Sequence, residues 1–245
     1  MPRLLFFSLV SLLMDVEAAR CADIRLIAAN AVKEGLVEII VAFESATGHS
    51  VAATWTGTSS AEQRLNANDP FDVAIIGGDA VDRLIAAGKL TSASKIAFAR
   101  TGIAVATREG YPSPNVATPE ALRDAVLSAG TIAYSAGPSG AYMADLFKRW
   151  GITEVTAGKT RKPSSGAEVA QALASGEIDI GFAQASEFRG VAKVKEVGPL
   201  PSSIQNFTVY TAAASAPGEA AEAFLHALQK PESARAIRKM NMEPN

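Results

Sequence analysis

One cysteine in 245 residues, Cys21, leaves no intrachain disulfide and no thiolate-built zinc centre, which takes at least two cysteines. Histidine is nearly as scarce. His49 follows Gly48 at a turn position, and His226 falls in the final helical pattern. Neither belongs to an H-E-x-x-H pattern, and no Walker A or G-x-G-x-x-G sequence occurs. Gly137-Pro138-Ser139-Gly140-Ala141 fails as a G-x-S-x-G nucleophile elbow because its fifth residue is Ala141. Tyr134 and Tyr142 are not adjacent and have no histidine or carboxylate cluster beside them, which speaks against capture of ferric iron. Neither an enzyme nor a resident metal or cofactor is expected.

Basic clusters are missing too. Lys and Arg number 23 against 25 Asp and Glu, a net charge of −2, and no basic run stands out. Nucleic-acid binding draws its affinity from clustered cations on one face, so no such partner is expected. An anion would have to be held by local geometry and not by a broad positive field. No apolar run is long enough to cross a bilayer as a helix. The longest, residues 4–14 behind Arg3, has the length of a secretory h-region. Residues 1–22 therefore read as a signal peptide and the chain as exported, although Asp15, Glu17 and Arg20 are unusual near a cleavage site. Arg20 before Cys21 disfavours a lipid tether.

Short β-rich runs alternate with helical periodicity. Residues 24–28, 51–55, 72–76, 102–106, 131–134, 178–183 and 208–213 read as strands. Between the first two, Leu36, Ile39, Ile40 and Phe43 repeat at i, i+3, i+4 and i+7, one face of a helix that Gly48 ends. Thr118-Pro119 opens another helix, Met143, Leu146, Phe147 and Trp150 form a third stripe, and Ser165 with Glu168 makes a capping box. A last helix is expected over residues 219–228. Such alternation implies mostly parallel sheets flanked by helices. No linker or repeat breaks it, so a chain with two lobes must cross between them inside strands, near residues 100–107 and 207–213.

Three junctions share one design, a strand followed by small polar residues or glycine and then a helix: Ala28-Ala29-Asn30-Ala31, Thr56-Gly57-Thr58-Ser59-Ser60 and Ser135-Ala136-Gly137-Pro138-Ser139-Gly140. Ligands of parallel α/β sheets bind beyond the carboxyl ends of strands, where helix N-termini offer unpaired N–H groups and partial positive charge. Several such termini aimed at one space hold an anion without lysine or arginine. Gly57 and Gly140 would admit close backbone approach. Each of Asn30, Ser59 and Ser139 is also a good N-cap, and Ser59 with Glu62 fits a capping box. Trp55 and Tyr142 flank two of the junctions, and Arg64, Arg108 and Arg161 are candidate carboxylate clamps that nothing in the sequence aims inward.

Ala-Ala-Asn before an amphipathic helix, then Gly-Thr-Ser-Ser, then Phe71-Asp72-Val73-Ala74-Ile75-Ile76, resembles the first lobe of periplasmic molybdate-binding proteins. Gly137-Pro138-Ser139-Gly140-Ala141-Tyr142 is similar to that family's Pro-Ala-Gly-x-Tyr turn, and residues 174–187 resemble its late segment ending Tyr-Ala-Ser-Asp. The resemblance implies an α/β type II clamshell of two lobes joined by two crossover strands. Lobe 1 would comprise residues 23–101 and 209–245, and lobe 2 residues 102–208. It further implies a periplasmic monomer that delivers a small anion to the permease of an ATP-binding-cassette transporter. The ligand-binding residues would be Asn30, Ala31, Gly57, Thr58 and Ser59 from lobe 1, with Ser139, Gly140 and Gln184 from lobe 2. Asn30 stands where the family has a serine and Gln184 where it has the donating tyrosine. Two amides, each donor and acceptor, favour a small organic acid over an inorganic oxyanion. An effector-sensing domain of the same fold and an exported hydrolase are the alternatives.

Overall fold

Strand and helix alternate from Asp23 onward. A computed structural model describes residues 23–245; the expected signal peptide and Cys21 lie outside the described residues. The first half runs β1 (Asp23–Ala29), a 3-10 turn (Asn30–Val32), α1 (Lys33–Thr47), β2 (Ser50–Thr56), α2 (Thr58–Asn66), β3 (Val73–Gly77), α3 (Gly78–Ala86) and β4 (Ile96–Arg108). The middle continues with α4 (Pro119–Ser128), β5 (Ile132–Tyr134), α5 (Pro138–Arg149), α6 (Thr153–Ala157) and β6 (Thr160–Arg161). It goes on through α7 (Gly166–Ser175), β7 (Ile180–Gln184), α8 (Ala185–Phe188) and β8 (Val194–Pro199). The chain then returns as β9 (Phe207–Ala214), α9 (Glu219–Leu228), α10 (Pro231–Lys239) and β10 (Glu243–Pro244).

The strands follow the order β2-β1-β3-β9-β4-β7-β5-β6, with β8 and β10 each paired to β4. β1 pairs in parallel with β2 and β3, and β5 in parallel with β6 and β7, whereas β9 and β4 run antiparallel to their neighbours. This is the mixed α/β architecture of two half-sheets. β4 belongs to both: Ile96 to Gly102 pair with β9, and Ile103 to Thr107 pair with β7. At the crossing, the Gln205 carboxamide clips Ile103 as a strand would. Its Oε1 accepts from the Ile103 N–H and its Nε2 donates to the Ile103 carbonyl, both at 3.0 Å.

Successive strand side chains point to opposite faces, so each half-sheet fills two cores. Ile24, Leu26 and Ala28 of β1 meet Leu36, Ile39, Ile40 and Phe43 of α1 and Phe224 of α9, while Ile27 faces Leu65 of α2 and Leu84 of α3. In the second half Ile180 and Phe182 pack on Met143, Leu146 and Phe147 of α5, and Ala183 faces Val169 and Leu173 of α7. Gly181 lets α7 lie close: a Cβ there would fall 2.7 Å from a Val169 methyl.

Local signals set the helix ends. The α1 stripe is buried throughout, and Gly48 takes the left-handed C-cap at φ 75°. Thr118 accepts the Ala121 N–H at 3.2 Å ahead of Pro119. Ser165 accepts the Glu168 N–H at 3.3 Å, and the Glu168 carboxylate takes the Ser164 N–H at 2.9 Å. Six elements have no counterpart in the sequence reading: α6, β6, α8, β8, α10 and β10. α10 buries only Ser233, Ala236 and Ile237, too few apolar positions for its period to show, and β8 is held by pairing to β4 along a half-exposed run.

Candidate ligand-binding cleft

The carboxyl ends of β1, β2 and β3 face those of β5 and β7 across a cleft between the half-sheets. A cavity of about 460 Å³ lies there. Its walls are Thr58 and Ser59 at the start of α2, residues 77–80 and Arg83 at the start of α3, residues 136–138 with Ala141 and Tyr142 at the start of α5, and residues 206–209 of the returning chain. Three helix N-termini thus open on one space, and unpaired N–H groups there favour an anion. Arg83 is the one arginine in the wall, and its guanidinium is held by Glu62 at 2.6 and 2.7 Å.

The halves touch directly. Ser59 Oγ donates to the Ala136 carbonyl at 2.8 Å. A Cβ on Gly57 would come 2.6 Å from the Ser164 carbonyl, and one on Gly77 would come 3.1 Å from the Pro138 ring. Glycine at these positions therefore serves the approach of one half to the other. A second seam lies beside the first, where the Asn30–Val32 turn packs on both α7 and α8.

The structure brings together part of the expected constellation. Thr58 and Ser59 line the cavity, and Thr58 Oγ1 also accepts the Gly77 N–H at 3.2 Å, tying the start of α2 to that of α3. Ser59 caps nothing: α2 begins at Thr58 with Gly57 as its N-cap, and Glu62 turns to Arg83. Ser139 and Gly140 are buried in the first turn of α5, and their neighbours 136–138 and Ala141 form the wall. A Cβ on Gly140 would overlap the Ser135 carbonyl, so that glycine is required by the turn itself. Asn30 is half-buried in the second seam without capping its turn, and Ala31 is buried in the core behind it.

Gln184 is 1% exposed at the end of β7. Its Nε2 donates to Thr208 Oγ1 at 2.7 Å, and Thr208 is part of the cavity wall. Its side chain faces the Glu187 N–H as the cap of α8, but its buried Oε1 makes no hydrogen bond of good geometry among the described residues. A buried amide oxygen left unpaired costs stability, which a ligand donor or a water would recover. Trp55 packs half-buried against the first core, and Tyr142 donates its hydroxyl to the Ile204 carbonyl at 2.7 Å at the cavity edge. Arg64 pairs with Asp69 and Arg108 with Asp179, and Arg161 is exposed.

Sequence reading missed two parts of this region. The Gly77-Gly78 junction repeats the strand–glycine–helix design already noted three times, so the signal was present. Glu187 lies in the late segment but drew no notice. Its carboxylate sits on the N-terminus of α7, taking the N–H groups of Gly166, Ala167 and Gln184. A Cβ on Gly166 would overlap that carboxylate. Burial pushes the Glu187 carboxyl up to about 7 against those three hydrogen bonds. Burial also raises the Tyr210 hydroxyl of β9 well above the ordinary phenol, with the Glu187 charge adding to the effect.

Comparison with known proteins agrees with this geometry. The sequence family described as bacterial extracellular solute-binding protein matches residues 24–243. The chain is 30% identical to an aconitate isomerase of Pseudomonas sp. over 257 residues, covering 99% of this chain and 97% of that protein. Among solved structures, the periplasmic molybdate-binding protein of Azotobacter vinelandii superposes with a TM-score of 0.73 at 17% identity, covering 89% of this chain and 98% of that one. The sulfate-binding protein of Mycobacterium tuberculosis gives 0.75 at 19% identity, covering 91% and 87%. At these identities the two structures show the shared type II periplasmic-binding-protein fold.

Proposed function

The chain belongs to the bacterial extracellular solute-binding protein family, and from that premise we propose that it is exported to the periplasm, captures a small carboxylic-acid anion between two lobes, and delivers it as a monomer to an ATP-binding-cassette transporter. Residues 23–101 with 209–245 form lobe 1 on this reading, and residues 102–208 form lobe 2. The cleft carries the choice of ligand. Hydroxyls, a carboxamide and helix-start N–H groups surround a cavity of about 460 Å³, within the roughly 300–1,000 Å³ of pockets for organic ligands. A tetrahedral oxyanion would leave most of that space to water. An acid with two or three carboxylates would find N–H donors at the starts of α2, α3 and α5, with Asp79 in the α3 wall as the one carboxylate it would have to avoid. Asn30, Ala31, Gly57, Ser139, Gly140 and Gln184 support the site from the seams and from behind its walls.

A second reading has a specific observation behind it. The relative that matches along the full length is named for isomerising aconitate, an unsaturated tricarboxylate. The same cleft would then hold such an acid while a proton moves along its carbon chain. Both readings require the same ligand class and differ in what happens after closure.

Thermal-shift and calorimetric titration with cis-aconitate, trans-aconitate, citrate, molybdate and sulfate tests the ligand class, because a ligand of the folded state raises the unfolding temperature. Stabilisation by a carboxylic acid and not by the inorganic anions is expected. Stabilisation by molybdate or sulfate alone overturns the carboxylate reading. Proton NMR of each aconitate isomer incubated with the protein then decides between the two fates: an unchanged spectrum supports capture, and interconversion at catalytic protein concentration supports the isomerase.

A further inference from the structure

We propose that Asp79 is the base that moves a proton along a bound unsaturated polycarboxylate: its carboxylate takes a hydrogen from the methylene carbon and returns it to the far end of the double bond. The inference rests on the isomerising reading above and assigns that chemistry to one residue.

The cavity wall leaves one candidate. Among its described residues only Asp79, Arg83 and Tyr142 carry ionisable side chains, and it has no histidine or cysteine. Arg83 is engaged side-on by Glu62, through Nε at 2.6 Å and Nη2 at 2.7 Å. The Tyr142 hydroxyl donates to the Ile204 carbonyl at 2.7 Å. The hydroxyls of the wall are engaged as well: Ser59 donates to the Ala136 carbonyl, Thr58 accepts the Gly77 N–H, and Thr208 accepts from Gln184. Asp79 has no hydrogen bond or ion pair among the described residues. It is exposed in the first turn of α3, directly after Gly77 and Gly78, and Arg83 one turn further on feels its charge without bonding it.

Electrostatics would turn the reactive part of the ligand toward it. The carboxylates of such an acid are drawn to the N–H groups at the starts of α2 and α5 and to the remaining amino group of Arg83, and are repelled by Asp79. The uncharged carbon chain is what can face Asp79. Its methylene hydrogens are acidified by the double bond on one side and a carboxyl group on the other.

The step balances on one residue. A C–H bond breaks and an O–H bond forms on Asp79. The freed electron pair becomes a double bond to the central carbon, and the old double-bond pair moves to the far carbon and its carboxylate. That carbon then takes the proton back from Asp79, so the balance needs no oxidant and no second reactant. Helix-start N–H groups and the Arg83 guanidinium receive the charge that builds on the far carboxylate, and fixed donors of this kind favour the transition state. In aconitate both outer carbons carry a carboxyl group, so the shift regenerates the same skeleton. The rotamer of the methylene arm at the moment of proton loss sets whether the product is cis or trans.

The test is the rate at which wild type, Asp79→Asn, Asp79→Ala and Asp79→Glu interconvert the aconitate isomers, followed by proton NMR. Calorimetric titration with trans-aconitate and the unfolding temperature accompany each protein. Wild type should interconvert the isomers. D79N and D79A should bind trans-aconitate at least as tightly, because a repelling charge is gone, and should lose at least about 100-fold in kcat, the lower end of what a positioned base contributes. D79E, with the carboxylate on a longer arm, should keep part of the rate. Rates in D79N or D79A within a few-fold of wild type overturn the assignment to Asp79 and leave the isomerising reading standing. If wild type binds trans-aconitate without changing it, or does not bind it, the isomerising reading itself fails and Asp79 loses the role with it.

Discussion

Ser59 and Ala136 meet across the cleft: the hydroxyl on the first half donates to the carbonyl of the second at 2.8 Å. The bond closes the two halves on each other using the same helix starts that line the cavity. Ligand and latch therefore compete for the same groups, and a ligand that holds the closed form has to replace this contact with better ones.

Ser59→Ala removes the latch and leaves the Ala136 carbonyl to water on opening. The closed ligand-free form should lose about 1 kcal/mol, the usual net worth of one hydrogen bond. Small-angle scattering should then show a larger radius of gyration for the variant without ligand and convergence with wild type on saturation. Equal radii in both conditions would mean that the bond does not govern closure.

Gly140→Ala should be among the most damaging single-methyl changes in the molecule. The added carbon would overlap the Ser135 carbonyl, which is main chain and cannot swing aside. A loss of about 3 kcal/mol, at the high end for overpacking, is expected in urea unfolding. Gly158→Ala is the control: a Cβ there meets nothing within 4 Å, and the residue sits at φ −67°. It should be neutral or stabilising by up to about 1 kcal/mol.

Gln184→Leu separates binding from folding. The exchange removes an unpartnered buried oxygen together with the bond to Thr208, two effects on stability that oppose each other. The unfolding temperature should move by only a few degrees. Affinity for a stabilising carboxylate should fall at least about tenfold, near 1.4 kcal/mol. Unchanged affinity would remove Gln184 from the site.

Asp72 gives a pH-dependent prediction far from the cleft. Arg25 clamps it with Nε and Nη2 at 3.0 and 2.7 Å, and those side-chain bonds, with the Arg25 N–H, hold its carboxyl below the ordinary 3.8. A depressed value means stability that is present above pH 3.8 and is lost as the pH falls through the folded value. Asp72→Asn should unfold at lower temperature than wild type at pH 7, and the gap should close as acidification carries the pH below the depressed folded value. A gap that persists in acid would point to packing and not to charge.

What the sequence disclosed depended on how local each cause was. Leu36, Ile39, Ile40 and Phe43 repeat with the helical period and are all buried, and Gly48, Thr118 and Ser165 end or begin their helices as their chemistry requires. The bonds that decide the cleft join distant residues. Ser59 has the credentials of a cap, yet its partner lies 77 positions away, and Glu62 is drawn off by Arg83. Glu187 depends on a glycine 21 positions earlier that carries no mark of its purpose until the chain is folded. The reading of β4 began at Gly102, although the strand starts at Ile96, because its first part belongs to one half-sheet and its second to the other.

That shared strand has a mechanical consequence. A continuous ribbon, clipped at Ile103 by the Gln205 carboxamide, ties the two halves together where it passes from one sheet to the other. It also makes the halves inseparable by a single scission. The first sheet borrows β9 and β10 from the far end of the polypeptide, so a ribosome must finish the whole chain before that sheet can be completed.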